Sequence, residues 1–198
     1  MKNHSYNPHV TELIRSFDGI VYGICCRTPL MQHLQENSVA LNLHQWVSTP
    51  EKPINETMLI IIPLQEAELH QLILAPERYS YLQAPFVRLA INYALLQANF
   101  SALQDIASRF RFWLYDFVPP GANWSDIEAF PFCGIAFDDD FFNDNYQKFT
   151  FPYLLESFAQ RNVDLILRAA TPQLSEACYK SLFIKGWQQR SLHSLFDN

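Results

Sequence analysis

Apolar residues follow two different rhythms along this chain, and the change from one to the other falls near Pro76. Before it, short runs bounded by turn residues predict strands. Ile20 to Cys26 is β-branched, aromatic and cysteine-rich, set between Gly19 and Thr28 with Pro29, and reads as a buried strand. From Ser38 to Val47 the apolar residues Val39, Leu41 and Leu43 alternate, as on a half-buried strand. Met58 to Ile62 is an aliphatic run closed by Pro63, and reads as a strand buried on both faces. Helices are predicted from Val10 to Phe17, from Pro29 with Thr28 as N-cap to about Glu36, and from Gln65 to just before Pro76. Thr49 to Glu56, with Pro50 and Pro53, reads as a loop.

After Pro76 the pattern predicts helix alone. Pro85 to Ala98 is apolar nearly all round, with Arg88 its single charge, which suits a central helix. Ser101 and Gln104 form a capping box ahead of Leu103, Ile106, Ala107, Phe110, Trp113, Leu114 and Phe117, although Arg109 to Tyr115 also alternates as a strand would. Pro119, Pro120 and Gly121 end that element. Two further helices are expected, from Pro152 to Ala169 and from Pro172 to Lys185, the second between Thr171 as N-cap and Gly186 as the residue after its end. The fold class this predicts is α+β: a small, about three-stranded N-terminal sheet packed against a larger, mainly C-terminal helical layer. Residues 1–198 are expected to form one globular domain, with 1–8 as a mobile tail and the only plausible subdivision near 74–83.

Composition narrows the function classes. Apolar residues make up 49% and charged residues 17%, ample for a core, and 16 Phe, 9 Tyr and 4 Trp are more rings than full burial requires, so some are expected at an interface. A net charge of −6 with no basic stripe argues against nucleic-acid binding. No apolar run approaches the length of a membrane span and no leader-like segment follows Met1, so the expectation is a cytoplasmic protein with no membrane association.

Chemistry is harder to find. The six histidines show no zinc-ligand spacing, Cys25, Cys26, Cys133 and Cys178 make no C-x-x-C pair, and five glycines leave no phosphate loop or nucleophile elbow. Asp138, Asp139, Asp140 and Asp144 fail the EF-hand pattern because Phe142 and Phe149 stand where ligands belong. No cofactor and no metal are expected. One segment stands out: between Arg111 and Lys148 there is no Lys or Arg, while Asp116, Asp126, Glu128, Asp138, Asp139, Asp140 and Asp144 lie among many rings. The expected site is therefore a surface of Trp124, Asp138, Asp139, Asp140, Phe141, Phe142 and Asp144 that meets a protein partner with a basic face. The corresponding function is a non-enzymatic protein-binding module of adaptor, immunity or secretion-chaperone type. The alternative is a small-ligand binder or enzyme with a pocket between sheet and helices and scattered Asp, His or Tyr acid–base residues.

Overall fold

A computed structural model describes residues 10–26, 58–117 and 122–190. The expected helix after Thr28, the strand from Ser38 to Val47 and the loop from Thr49 to Glu56 lie outside the described residues, as does the expected tail. Within them the chain closes into an eight-stranded barrel, in which each strand pairs with its neighbours in sequence and the last pairs with the first. The first two strands, β1 (Val10–Arg15) and β2 (Val21–Cys26), form an antiparallel hairpin. Its turn is closed by Ser16 N–H donating to the Ile20 carbonyl at 2.9 Å, and Gly19 sits there at φ 89°, a conformation glycine adopts without penalty. All later pairings, from β2 through β3 (Leu59–Pro63), β4 (Val87–Asn92), β5 (Phe112–Tyr115), β6 (Gly134–Asp138), β7 (Asp164–Ala169) and β8 (Ile184–Gln189), are parallel. The barrel is closed by an antiparallel β1–β8 seam.

From β3 onward helices connect the parallel strands, as crossovers require. In chain order they are α1 (Glu66–Leu74), α2 (Tyr93–Ile106), α3 (Trp124–Ala129), α4 (Asp139–Asn145), α5 (Phe151–Gln160) and α6 (Glu176–Ser181), with a 3-10 turn at Pro76–Gln83. Two of them, α2 and α4, start at the residue that ends the preceding strand. Asn92 closes β4 and accepts from Leu95 N–H at 2.9 Å, capping α2.

The expected α+β layering is thus replaced by an α/β barrel, and the reason is burial on two faces. Alternate residues of each strand face either the helices or the barrel interior, and nearly all are apolar on both sides. Ile60, Ile62, Leu89, Ile91, Phe112, Leu114, Ile135, Phe137, Leu165 and Leu167 join the outer core under the helices. Ile14, Cys25, Ile61, Ala90, Trp113, Tyr115, Ala136 and Ile166 fill the interior. Such strands carry no period-two signal, and where one abuts a helix the two merge into one apolar run. The helix expected from Pro85 to Ala98 is β4 followed by the first turns of α2, and that from Pro152 to Ala169 is α5 followed by β7. The helix expected from Pro172 to Lys185 is the short α6, capped by Ser175 rather than Thr171, with β8 after it. The Val10–Phe17 helix is β1, and the Ser101 capping box lies inside α2, two residues beyond a kink at Asn99. The rings from Phe112 to Tyr115 form β5, the strand alternative for that stretch.

Trp113 sets the interior packing. Its indole is fully buried, and it lies against Gly134 of the neighbouring strand so closely that a Cβ there would fall 2.1 Å from indole Cε2. Gly134→Ala should therefore force the indole or the β5–β6 pairing to move, costing about 1–3 kcal/mol. Chemical denaturation measures this, and an unchanged midpoint would mean that Trp113 does not occupy the interior beside Gly134.

Candidate functional site

Barrels of this kind build their sites at the C-terminal ends of the parallel strands. Here that end carries the polar groups that the apolar interior lacks. The registers place Asp138 of β6 beside Arg168 of β7, and Arg168 beside Gln188 of β8. Because β1 runs antiparallel, its early residue Glu12 reaches the same end, two residues before Ile14, which pairs with Gln188. Glu12, Arg168 and Gln188 are the buried polar side chains among the described residues.

They satisfy one another. Arg168 Nη2 donates to Glu12 Oε1 at 2.8 Å and Arg168 Nε to Oε2 at 3.0 Å, a two-point fork. Its Nη1 reaches Asp138 Oδ1 at 3.4 Å. Gln188 Nε2 donates to Glu12 Oε2 at 2.5 Å, and Tyr115 Oη donates to Gln188 Oε1 at 2.5 Å. Burial works against the charge on Arg168, yet the hydrogen bonds and charge of Glu12, followed by Asp138, outweigh it and hold its pKa above that of a free guanidinium. Burial likewise holds the Tyr115 phenol far from ionisation, so it remains a donor.

Around this floor stand groups that meet solvent. Asp116, one residue past β5, adopts φ 51°, uncommon for a residue with a side chain and a form of strain that gathers at functional sites. Partial desolvation in the mouth, followed by the charge of Asp138, pushes the Asp116 carboxyl up to about 6. By surface area Asp116 is nevertheless an exposed residue. On the rim, Arg190 bridges to Asp139 at 3.0 Å and approaches Asp140 at 3.7 Å.

The segment singled out in the sequence divides between this mouth and the core. Asp138 ends β6 as the N-cap of α4, and Asp139 and Asp140 form the first turn of that helix rather than a loop. Asp144 is exposed further along the same helix, away from any ion pair among the described residues. Phe142 is buried and stacks on Tyr146 with centroids 5.6 Å apart. Phe141 packs edge-on to Phe117 at 5.4 Å, and Trp124, 36% exposed, does so at 5.2 Å. Phe117 also meets Phe137 and Phe158, so much of the ring surplus forms a layer between barrel and helices. Glu12, Tyr115, Asp116, Arg168 and Gln188 had no sequence signal as a group, because Glu12 stands 156 residues from Arg168 and 176 from Gln188. The partial signal was an apolar run that stops on a polar residue, seen at Asn92, Asp116 and Asp138.

A surface pocket of about 470 Å³ lies at the opposite end of β6, lined by Phe130, Phe132, Cys133, Phe158 and Arg161 among others. Its arginine is already committed, with Nη1 donating to the Glu128 carbonyl at 2.9 Å and the guanidinium over Phe158 at 4.9 Å. The polar chemistry belongs to the mouth.

No family model and no curated protein matches the chain. Solved structures do. PaMucR phosphodiesterase in complex with c-di-GMP superposes with a TM-score of 0.62 at 10% identity, over 91% of this chain and 89% of that one. The manganese/c-di-GMP complex of Klebsiella pneumoniae BlrP1 gives 0.62 at 11% identity, over 95% of this chain and 56% of that one. The EAL enzyme Bd1971, bound to cAMP and cyclic-di-GMP, gives 0.57 at 9% identity over 92% of this chain, which spans 61% of that protein's length. At such identities the likeness establishes the barrel fold alone. It also counts against the expected adaptor, immunity or chaperone-like module: the shared fold is a closed barrel rather than a small sheet with a helical docking layer, and the solved structures that share it are phosphodiesterases and EAL enzymes. The small-ligand or enzyme alternative agrees better with this fold, with its polar groups at the barrel mouth instead of between sheet and helices. Among the described residues, no helix is long and apolar enough to cross a membrane.

The raised Asp116 carboxyl makes a signed prediction. Its ordinary value is 3.8 and its folded value about 6, so the folded state binds more protons between them. The stabilisation from its proton is complete below the unfolded value and is lost as pH rises through about 6. Asp116→Asn should therefore flatten the decline in stability between pH 4 and 6, measured by denaturant titration at each pH. A parallel decline in both proteins would mean that the Asp116 carboxyl is unperturbed.

Proposed function

We propose that the barrel binds a small ligand at its C-terminal mouth and that Asp116, paired with Asp138, exchanges a proton with it. The observation that carries this is Asp116, held at φ 51° just past β5 and raised by the charge of Asp138, beside a buried Glu12–Arg168 fork above an apolar interior. A carboxyl near 6 is ionised over most molecules at neutral pH and protonated in mild acid, so it serves as base in the first case and acid in the second. Arg168 keeps Asp138 in place, and the buried network excludes water from beneath the pair.

The neighbouring structures hold c-di-GMP, in one case with manganese, which makes that dinucleotide and that cation the first compounds to test. The residues here do not fit the cation. Among the described residues no three His, Cys, Asp or Glu side chains converge as ligands, and Glu12 and Asp138 already face the Arg168 guanidinium. The described residues of this mouth therefore offer no ligand set for hydrolysis of a phosphodiester through bound divalent ions. A bare phosphodiester is also poorly matched, because Glu12, Asp116, Asp138, Asp139 and Asp140 outnumber Arg168 and Arg190. The charge balance favours a ligand that presents hydrogen-bond donors or a positive group to Asp116.

Thermal-shift screening of small metabolites, c-di-GMP included, on wild type and Asp116→Asn at pH 5 and pH 7 tests the reading. The expected result is at least one compound whose stabilisation of the wild type differs between the two pH values and is lost in the variant. If every hit stabilised both proteins equally at both pH values, the ligand site would lie elsewhere.

A further inference from the structure

The buried polar groups of the mouth satisfy one another, but at the opposite end of the barrel three donors do not. Tyr22 Oη, Arg88 Nε and Trp113 Nε1 are covered by protein and have no hydrogen-bond partner among the described residues. Strand register places all three inside the barrel. Arg88 is the second residue of β4, pairs with inward-facing Ile61, and stands two residues before inward-facing Ala90, which itself pairs with Trp113. Trp113 lies over Gly134, the first residue of β6. Tyr22 sits where the β1–β2 register slips between Ile14↔Gly23 and Arg15↔Val21, and it packs on the same interior cluster as Trp113. Its ring covers Gly186 of β8, where a Cβ would fall 2.5 Å from Oη.

Arg88 sets the chemistry of this group. Its Nη1 donates to the carbonyls of Pro85 at 2.6 Å and Val87 at 2.9 Å, while Nε and Nη2 take no partner among the described residues. That edge of a guanidinium forks an oxyanion, and it is the edge by which Arg168 holds Glu12 at the mouth. Here no carboxylate fills it. Asp164, whose charge Arg88 feels, is bonded to Lys185, and the exposed Arg111 just before β5 adds a second cation rather than a counter-ion. Trp113 Nε1 faces only the Cys133 sulfur, a weak acceptor. A water molecule accepts two hydrogen bonds and brings no charge, so it would leave one donor and the guanidinium uncompensated. We infer that Arg88, Trp113 and Tyr22 form a second binding site, a seat for a small oxyanion, carboxylate or phosphate, at the N-terminal end of the barrel. It goes beyond the ligand reading of the mouth and has the opposite polarity. The anion lies across the Nε–Nη2 edge of Arg88 and accepts from the indole N–H and the Tyr22 hydroxyl. Tyr22 and Arg88 are half-buried, so it is reached from that end of the barrel.

The test uses inorganic phosphate and, separately, acetate, each against chloride at equal ionic strength. Wild type, Arg88→Met, Tyr22→Phe and Asp116→Asn are melted in each salt, and ¹⁵N spectra follow the Trp113 indole N–H. In wild type at least one anion should raise Tm by about 3–6 °C at roughly ten times its dissociation constant. The same anion should move the indole signal downfield in a saturable way, and which anion does so tells a phosphate seat from a carboxylate seat. Arg88→Met should lose both responses. Tyr22→Phe removes only a hydroxyl that bonds nothing, so it should melt as wild type does in chloride and respond only at several-fold higher anion concentration. Asp116→Asn should respond in full, which keeps this result separate from the ligand screen at the mouth. An indole signal that neither anion moves, or an Arg88→Met that gains as much Tm as wild type, would overturn the inference. Should Arg88→Met fail to fold, a Tyr22→Phe titration identical to wild type would overturn it equally.

Discussion

The barrel depends on one buried ion pair to complete its circle. Seven of its strands run parallel and follow one another in sequence, but β1 must come back antiparallel and close against β8 over a register of only Ile14↔Gln188 and Arg15↔Trp187. Glu12 lies beyond that short ladder and is anchored instead by Arg168 of β7 and Gln188 of β8. A one-residue slip of β1 would turn Glu12 to the opposite face and leave Arg168 buried without its main partner. Replacing a buried ion pair with apolar groups is often neutral, whereas stripping it of one member costs about 3–5 kcal/mol. The pair therefore contributes registry more than net stability. In closing the seam it also gathers the polar side chains that form the mouth.

The rest of the architecture follows from packing two apolar shells against one strand layer. The interior is filled by a few large groups, Trp113 above all, with Gly134 left bare to admit it. The outer shell is filled by phenylalanines meeting edge to face, with Phe117 in contact with Trp124, Phe137, Phe141 and Phe158. Such ring pairs gain attraction beyond their buried area. This is where much of the aromatic surplus goes, and it seats Phe117 beside Asp116, coupling the rigid layer to the one strained residue of the mouth.

Legibility in the sequence divided along physical lines. β2, β3 and α1 were readable because Gly19, Pro63 and Pro76 punctuate them. β4, β7 and β8 were absorbed into neighbouring helices, since a strand buried on both faces offers no alternation and no Gly or Pro punctuates the passage from Phe151 to Ala169 after Pro152. β1 was lost because Glu12 looks like a solvent-facing helical charge, when it is an inward-facing member of an ion pair whose partner lies 156 residues away. The acidic aromatic segment stands out in the sequence, and it supplies Asp138 and Asp139 to the mouth. Its rings, however, could be assigned to an outer shell only once the closed barrel was known. Asp116 was counted among the acids of that segment, but nothing local distinguishes it; its character comes from Asp138 and from its place past β5.

The central claim is that Glu12 and Arg168 act as a unit, and a double-mutant cycle measures this most directly. Glu12→Gln, Arg168→Met and the double variant are unfolded by denaturant at pH 7. Each single change should cost about 3–5 kcal/mol by leaving a buried charge without its main partner. The double variant should be no less stable than either single one, so that the two losses are far from additive. Losses that sum, or single variants indistinguishable from wild type, would contradict the account.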